Sequence, residues 1–187
     1  LGENTNPQIE IASFANNNFN YLYTLPGNQS AYSIAALNEN DNLVLYYQGT
    51  NSNIYRSYAS NPSSSASWQT NGQNNEAAIM YTSNGTASNQ TASGQIAATL
   101  LNGTTYLAYQ GGTNQSNGNS WSVISGIQQP ANAAHSGVGL TSLNNALVLS
   151  YADTLAGKPV LALQQGTVNN NTWRQEGIAS LPSPGSS

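Results

Sequence analysis

An all-β fold is what the sequence predicts, and three observations predict it. Apolar clusters are short, rich in β-branched and aromatic residues, and separated every ~8–12 residues by Asn, Gly and Ser. No stretch sustains a helical period with charged helix formers on its outer face, so little or no helix is expected. A strand-turn-strand phrase of common form is written three times along the chain.

Taken in order, strands are expected at residues 8–14, 19–25, 32–37, 43–48, 54–59, 77–82, 95–100, 105–110, 120–125, 138–143, 146–151, 159–164 and 173–178. The first two form a weaker pair. In the first clear copy, Ser33-Ile34-Ala35-Ala36-Leu37-Asn38 runs into Leu43-Val44-Leu45-Tyr46-Tyr47-Gln48: a small-residue strand, an Asn-rich turn and an aromatic-ended strand. An outer strand at 54–59 follows, then a tryptophan turn, Ser67-Trp68-Gln69-Thr70-Asn71-Gly72. The strand at 77–82 stands alone. Gly94-Gln95-Ile96-Ala97-Ala98-Thr99-Leu100 and Thr105-Tyr106-Leu107-Ala108-Tyr109-Gln110 write the second copy, with Trp121 behind it. The third runs from Gly137 through Tyr151 and continues into an outer strand and the turn Thr172-Trp173-Arg174-Gln175-Glu176-Gly177.

Units of about 40 to 60 residues, each worth three or four strands, mark radial or solenoid architectures. A narrow Ala/Ser/Gly-rich first strand suits the crowded axis of a propeller, and bulkier strands suit its rim. The expectation is a β-propeller-like fold with about four to five small blades, with a β-sandwich or jelly roll as the alternative. One domain is expected over residues 1–180, with a flexible tail at 181–187.

Composition removes several function classes. Asn, Gln, Ser and Thr make up 81 of 187 residues, while charged residues are 5%, against about 25% in an ordinary soluble domain. Hydrophobic residues at 38%, with eleven Tyr and three Trp, argue against disorder. Net charge is −4, and Arg56, Lys158 and Arg174 are the only cations, too few for the phosphate contacts of nucleic-acid binding. The longest apolar run, Leu43 to Tyr47, falls far short of the ~18 residues of a membrane span, so no membrane insertion is expected. Leu1 in place of an initiator Met is read as the start of a processed or excised segment.

The phrase Leu43-Val44-Leu45-Tyr46-Tyr47-Gln48-Gly49-Thr50-Asn51-Ser52-Asn53-Ile54-Tyr55-Arg56, followed by Trp68 and Gly72, resembles a blade of the fungal and bacterial fucose-binding propeller lectins over residues 33–72. The resemblance implies a propeller lectin that grips sugar with an Arg, a Glu and an aromatic ring. Here the place of that Arg is Val44 and the place of that Glu is Arg56, and Leu107 and Val148 stand in the later copies. Fucose specificity is therefore not carried over.

No catalytic constellation is legible. Glycoside hydrolysis needs two carboxyl groups ~5–10 Å apart, and Glu39, Asp41 and Asp153 read as turn acids that serve the loop backbone. His135 is the only histidine, and no Gly-x-Ser-x-Gly elbow accompanies it. Without Cys and with one His, no transition-metal cluster can be built. Calcium would have only Asp41 or Asp153 with Asn oxygens to hold it. No metal, cofactor or enzymatic activity is expected.

Neutral polyols fit the inventory best, because sugar rings offer apolar C–H faces to flat aromatic rings and hydroxyls to amides and guanidiniums. The candidate ligand-binding residues are Trp68, Trp121, Trp173, Tyr47, Gln48, Arg56, Tyr109, Gln110, Tyr151 and Arg174; packing between blades is the competing role for the rings. Asn-x-Ser/Thr triplets begin at Asn28, Asn84, Asn89, Asn102, Asn114 and Asn170, about as many as chance places in this composition, and are compatible with secretion. The expected function is a secreted, non-enzymatic carbohydrate-binding lectin with repeated glycan sites, able to homo-oligomerise. An extracellular adhesion or surface-assembly protein that binds a protein partner or itself is the alternative, and a small glycoside hydrolase ranks last.

Overall fold

In a computed structural model of the chain, the residues described are 8–29, 33–71, 80–83, 86–89, 92–111, 121–123, 136–155, 158–167 and 172–180. They form several small antiparallel sheets, and the one helical element among them is a 3-10 turn at Ser65–Ser67. The chain divides into two compact units, Leu1–Ala92 and Ser93–Ser187. The tail at 181–187 lies outside the described residues.

In the first unit β1 (Gln8–Ala15) and β2 (Asn18–Gln29) make a hairpin. Strands β3 (Ile34–Glu39), β4 (Asn42–Gln48), β5 (Ile54–Ala59) and β6 (Trp68–Asn71) follow as a four-stranded meander, and β7 (Met80–Ser83) pairs with β8 (Thr86–Asn89). In the second unit β9 (Ala92–Leu101), β10 (Thr104–Gly111) and β11 (Trp121–Val123) form a three-stranded sheet. A second four-stranded meander joins β12 (Ser136–Leu143), β13 (Ala146–Leu155), β14 (Lys158–Thr167) and β15 (Thr172–Ser180). None of these sheets closes on itself.

Four hairpins share one turn chemistry. Their two-residue connections are Asn16-Asn17, Asn40-Asp41, Asn102-Gly103 and Asn144-Asn145, and all eight residues have φ between 48° and 75°. Such turns match the right-handed twist of the flanking strands, and Asn, Asp and Gly tolerate the left-handed region they require. The turn thereby sets the register, and a one-residue slip would carry every core side chain to the opposite face.

Each unit has its own core. In the first, Leu45, Tyr47, Tyr55, Ala59 and Trp68 line one face of the β3–β6 sheet and pack on Ile9, Ile11 and Leu25 of the β1–β2 hairpin. The register shifts by one between Ile11↔Tyr23 and Ala12↔Tyr21, leaving Leu22 as a bulge that turns Tyr23 and Leu25 toward this core. In the second unit, Leu101, Tyr106 and Ala108 of β9–β10 pack on Leu147, Leu149 and Tyr151 of β13. Two polar bonds join the same layers: Asn102 Nδ2 donates to Asn145 Oδ1 at 2.6 Å, and the Val138 amide donates to Gln95 Oε1 at 3.0 Å.

Two expectations are corrected. The tryptophan turn at 67–72 is a strand start, with Trp68 opening β6 opposite Ala59, whereas Trp121 and Trp173 lie in β11 and β15, where strands are expected at 120–125 and 173–178. Indoles pack well on a pleated surface, so an aromatic among polar residues continued the sheet rather than ending it. The short polar strand β8 was not expected at all. Of the strand expected at 77–82, residues 77–79 lie outside the described residues, as do 120, 124 and 125 of the one expected at 120–125.

Candidate functional site

Among the described side chains, the rings expected to face a ligand belong to the interior. Tyr47, Tyr109, Tyr151 and Gln48 are buried, and Trp68 is 7% exposed. Alternation explains the burial of Tyr47. Leu45 and Tyr47 point to one face of β4, and that face meets the hairpin, so the most aromatic end of the strand is the best core filler. Tyr47 also stacks on Tyr55, with centroids 5.7 Å apart. The Trp68 indole donates through Nε1 to the Tyr23 hydroxyl at 2.6 Å, and Tyr23 in turn donates to the Pro62 carbonyl. A ring so enclosed cannot lie against a sugar. The side chains of Trp121, Trp173, Gln110 and Arg174 lie outside the described residues.

Among the described side chains, Arg56 is the one predicted site residue that is partly open, 32% exposed. It projects from β5 onto the face of the β3–β6 sheet opposite the core. Its Nη2 donates to Glu39 Oε2 at 2.8 Å, its Nε donates to the Tyr46 hydroxyl at 3.3 Å, and its guanidinium lies 4.6 Å from the centre of the Tyr58 ring. Tyr46 donates to the other carboxylate oxygen of Glu39 at 2.8 Å. Burial pushes the Tyr46 phenol up from its ordinary value, and the neighbouring Glu39 carboxylate adds to the rise. Burial works against the charge on Arg56, but the bonds to Glu39 and Tyr46 outweigh it and hold its proton more tightly than usual. Glu39, read from the sequence as a turn acid, is thus the end residue of β3 and half of an ion pair. The cluster spends its polar groups on one another and ties three strands together.

The open aromatic surface lies elsewhere, on residues the sequence reading passed over. Phe14, Phe19 and Tyr21 are 62%, 79% and 62% exposed. On β1, Glu10, Ala12 and Phe14 alternate with the inward Ile9 and Ile11, and they pair with Thr24, Tyr21 and Phe19. These side chains therefore share the outer face of the hairpin. The Phe14 and Phe19 rings meet at 4.8 Å between centroids, tilted by 51°. The Tyr21 hydroxyl and Thr24 Oγ1 share a hydrogen bond of 2.9 Å, and Glu10 is exposed beyond them. The strip runs from bare rings at the turn, through a phenol, to a hydroxyl and a carboxylate. A signal for it was present: the chain's only two Phe stand symmetrically about Asn16-Asn17, on the side of the hairpin where alternation calls for polar residues.

Among the described residues no group of three or more His, Cys, Asp or Glu is gathered that could hold a metal ion. No family model matches the chain, and no curated protein matches it.

Proposed function

We propose that this chain is a non-enzymatic lectin of propeller-like build that holds a neutral glycan against the outer face of the β1–β2 hairpin. The observation that carries the reading is the Phe14–Phe19–Tyr21 strip, three rings more than half exposed and continuing into Thr24 and Glu10. Rings of this kind meet the C–H faces of a pyranose, while the Tyr21 and Thr24 hydroxyls can donate or accept and the Glu10 carboxylate accepts from sugar hydroxyls. No cation stands on the strip, and the whole chain has three, so a neutral polyol suits it better than an anion.

The blade reading draws support from strand order and stacking. Both four-stranded sheets are simple meanders, as blades are. In the second unit the Tyr106 and Ala108 face of β10 meets the Leu147, Leu149 and Tyr151 face of β13. Counted from their turns, these are opposite faces of equivalent hairpins, the relation that stacking around an axis requires. About four to five blades remain the proposal. Unlike the repeated sites first expected, the strip belongs to a single hairpin. The positions matching Phe14 and Phe19 are Asn38 and Leu43, Leu100 and Thr105, and Ser142 and Leu147 at the other turns. Avidity would then come from several copies of the chain rather than several sites on one. Export to the extracellular space belongs to the same proposal.

A glycan array with wild type, Phe14→Ala and Phe19→Ala tests it. Saccharide-inhibitable binding that both substitutions abolish is the expected result. A blank array together with self-association in light scattering that the same substitutions reverse would replace the lectin with a surface-assembly protein.

A further inference from the structure

The β9–β10 turn carries chemistry that glycan binding does not use. Asn102, Gly103 and Thr104 spell an Asn-x-Thr acceptor triplet, and all three residues are exposed. Of the six such triplets in the chain, this is the one whose side chains the structure describes throughout, and it occupies the tip of a hairpin. The other Asn turns place Asn18, Asn42 and Ala146 where this one has Thr104, so none of them can be an acceptor.

We infer that Asn102 is an acceptor for N-linked glycosylation, taking its sugar from a lipid-diphosphate-linked oligosaccharide. Asn102 Nδ2 attacks the anomeric carbon. The new C–N bond forms as the anomeric C–O bond to phosphate breaks, the lipid diphosphate departs, and the amide gives up one proton. Nothing is oxidised or reduced.

The geometry meets both demands of such a modification, an approachable acceptor and a product the fold can keep. At φ 52° and 75°, Asn102 and Gly103 reverse the chain within two residues and carry the acceptor at the hairpin's end. A primary amide has two N–H bonds. One reaches Asn145 Oδ1 at 2.6 Å, and the other is exchanged for the sugar, so the bond between the two turns survives the reaction. Glycans at buried or mid-strand positions would have to break a ladder or a core; here the attached chain extends from a turn whose Asn102, Gly103 and Thr104 are all exposed.

The test expresses the full chain behind a cleavable secretion leader in animal cells, with a reporter acceptor triplet in an added C-terminal tail. Site-resolved peptide mass spectrometry, with and without peptide N-glycosidase, is read on molecules whose reporter carries a glycan. The majority of Asn102 peptides should carry a glycan, and Asn102→Gln and Thr104→Val should each remove that glycan alone from the intact mass. Bare Asn102 in reporter-modified wild-type molecules overturns the inference, whatever the variants do. Binding on the glycan array is read separately, so neither result depends on the other.

Discussion

Trp68 and Tyr23, 45 residues apart in sequence, are joined by a 2.6 Å hydrogen bond from indole to phenol. That bond fastens the β1–β2 hairpin to the outermost strand of the β3–β6 sheet. Trp68→Ala should cost ~3–5 kcal/mol, the usual loss for a large buried aromatic. Trp68→Phe keeps most of the ring and removes the donor, so ~1–3 kcal/mol is expected. Urea unfolding measures both. Glycan binding by folded Trp68→Phe should equal wild type, and a selective loss of binding would return this indole to the ligand site.

Substitutions on the outer strip should behave in the opposite way. Phe19→Ala and Tyr21→Ala are expected to shift stability by no more than ~0.5 kcal/mol, as exposed positions do, while glycan binding is lost. Glu10→Gln keeps the shape and removes a charged acceptor, and about a tenfold loss of affinity is expected, equivalent to ~1.4 kcal/mol. Titration calorimetry against an array-selected sugar would show it. Stability losses that parallel the binding losses would make the strip structural.

Stability should fall in alkali through Tyr46. Its folded pKa is raised, by burial first and by Glu39 second. The stability this contributes is fully present below the unfolded value of about 10 and is lost as pH rises through the higher folded value. Thermal melts across that range should show a decline that Tyr46→Phe lacks. Equal declines in both proteins would refute the assignment.

Gly139 faces Ser150 across the β12–β13 ladder, and a Cβ built on the glycine would lie 2.7 Å from Ser150 Oγ. Gly139→Ala therefore requires Ser150 to swing away and give up its 3.4 Å contact with the Gly139 carbonyl. The single substitution should destabilise by ~1–3 kcal/mol, the range for crowding a packed site. Ser150→Ala in the same chain should recover part of that loss, and additive effects in the double-mutant cycle would show that the two positions are not in contact.

The sheets were largely legible because turn residues and alternation act locally. Asn40-Asp41 and Asn144-Asn145 announce their hairpins whatever surrounds them, and Ile54 to Ala59 was bounded as observed. The site was not legible for the same reason reversed. Whether Tyr47 or Tyr21 meets water depends on which face of its strand another layer covers, and that is settled by packing between segments far apart in the chain. Parity alone could not place Tyr23 either, because the bulge at Leu22 changes the count midway along β2. The ion pair between Glu39 and Arg56 joins strands that are not neighbours in the sheet, a relation no spacing rule carries.

The four asparagine turns also govern how the molecule is made. A connection of two residues costs the least closure entropy a hairpin can have, and isolated hairpins zip within ~1–10 μs. Strands β1–β2, β3–β4, β9–β10 and β12–β13 can each pair long before the ribosome has released the next segment, since synthesis proceeds at ~5–20 residues per second. Layer docking, such as Ile9 finding Trp68, is then the slow event, and each nascent edge waits only for a neighbour already next in line to emerge.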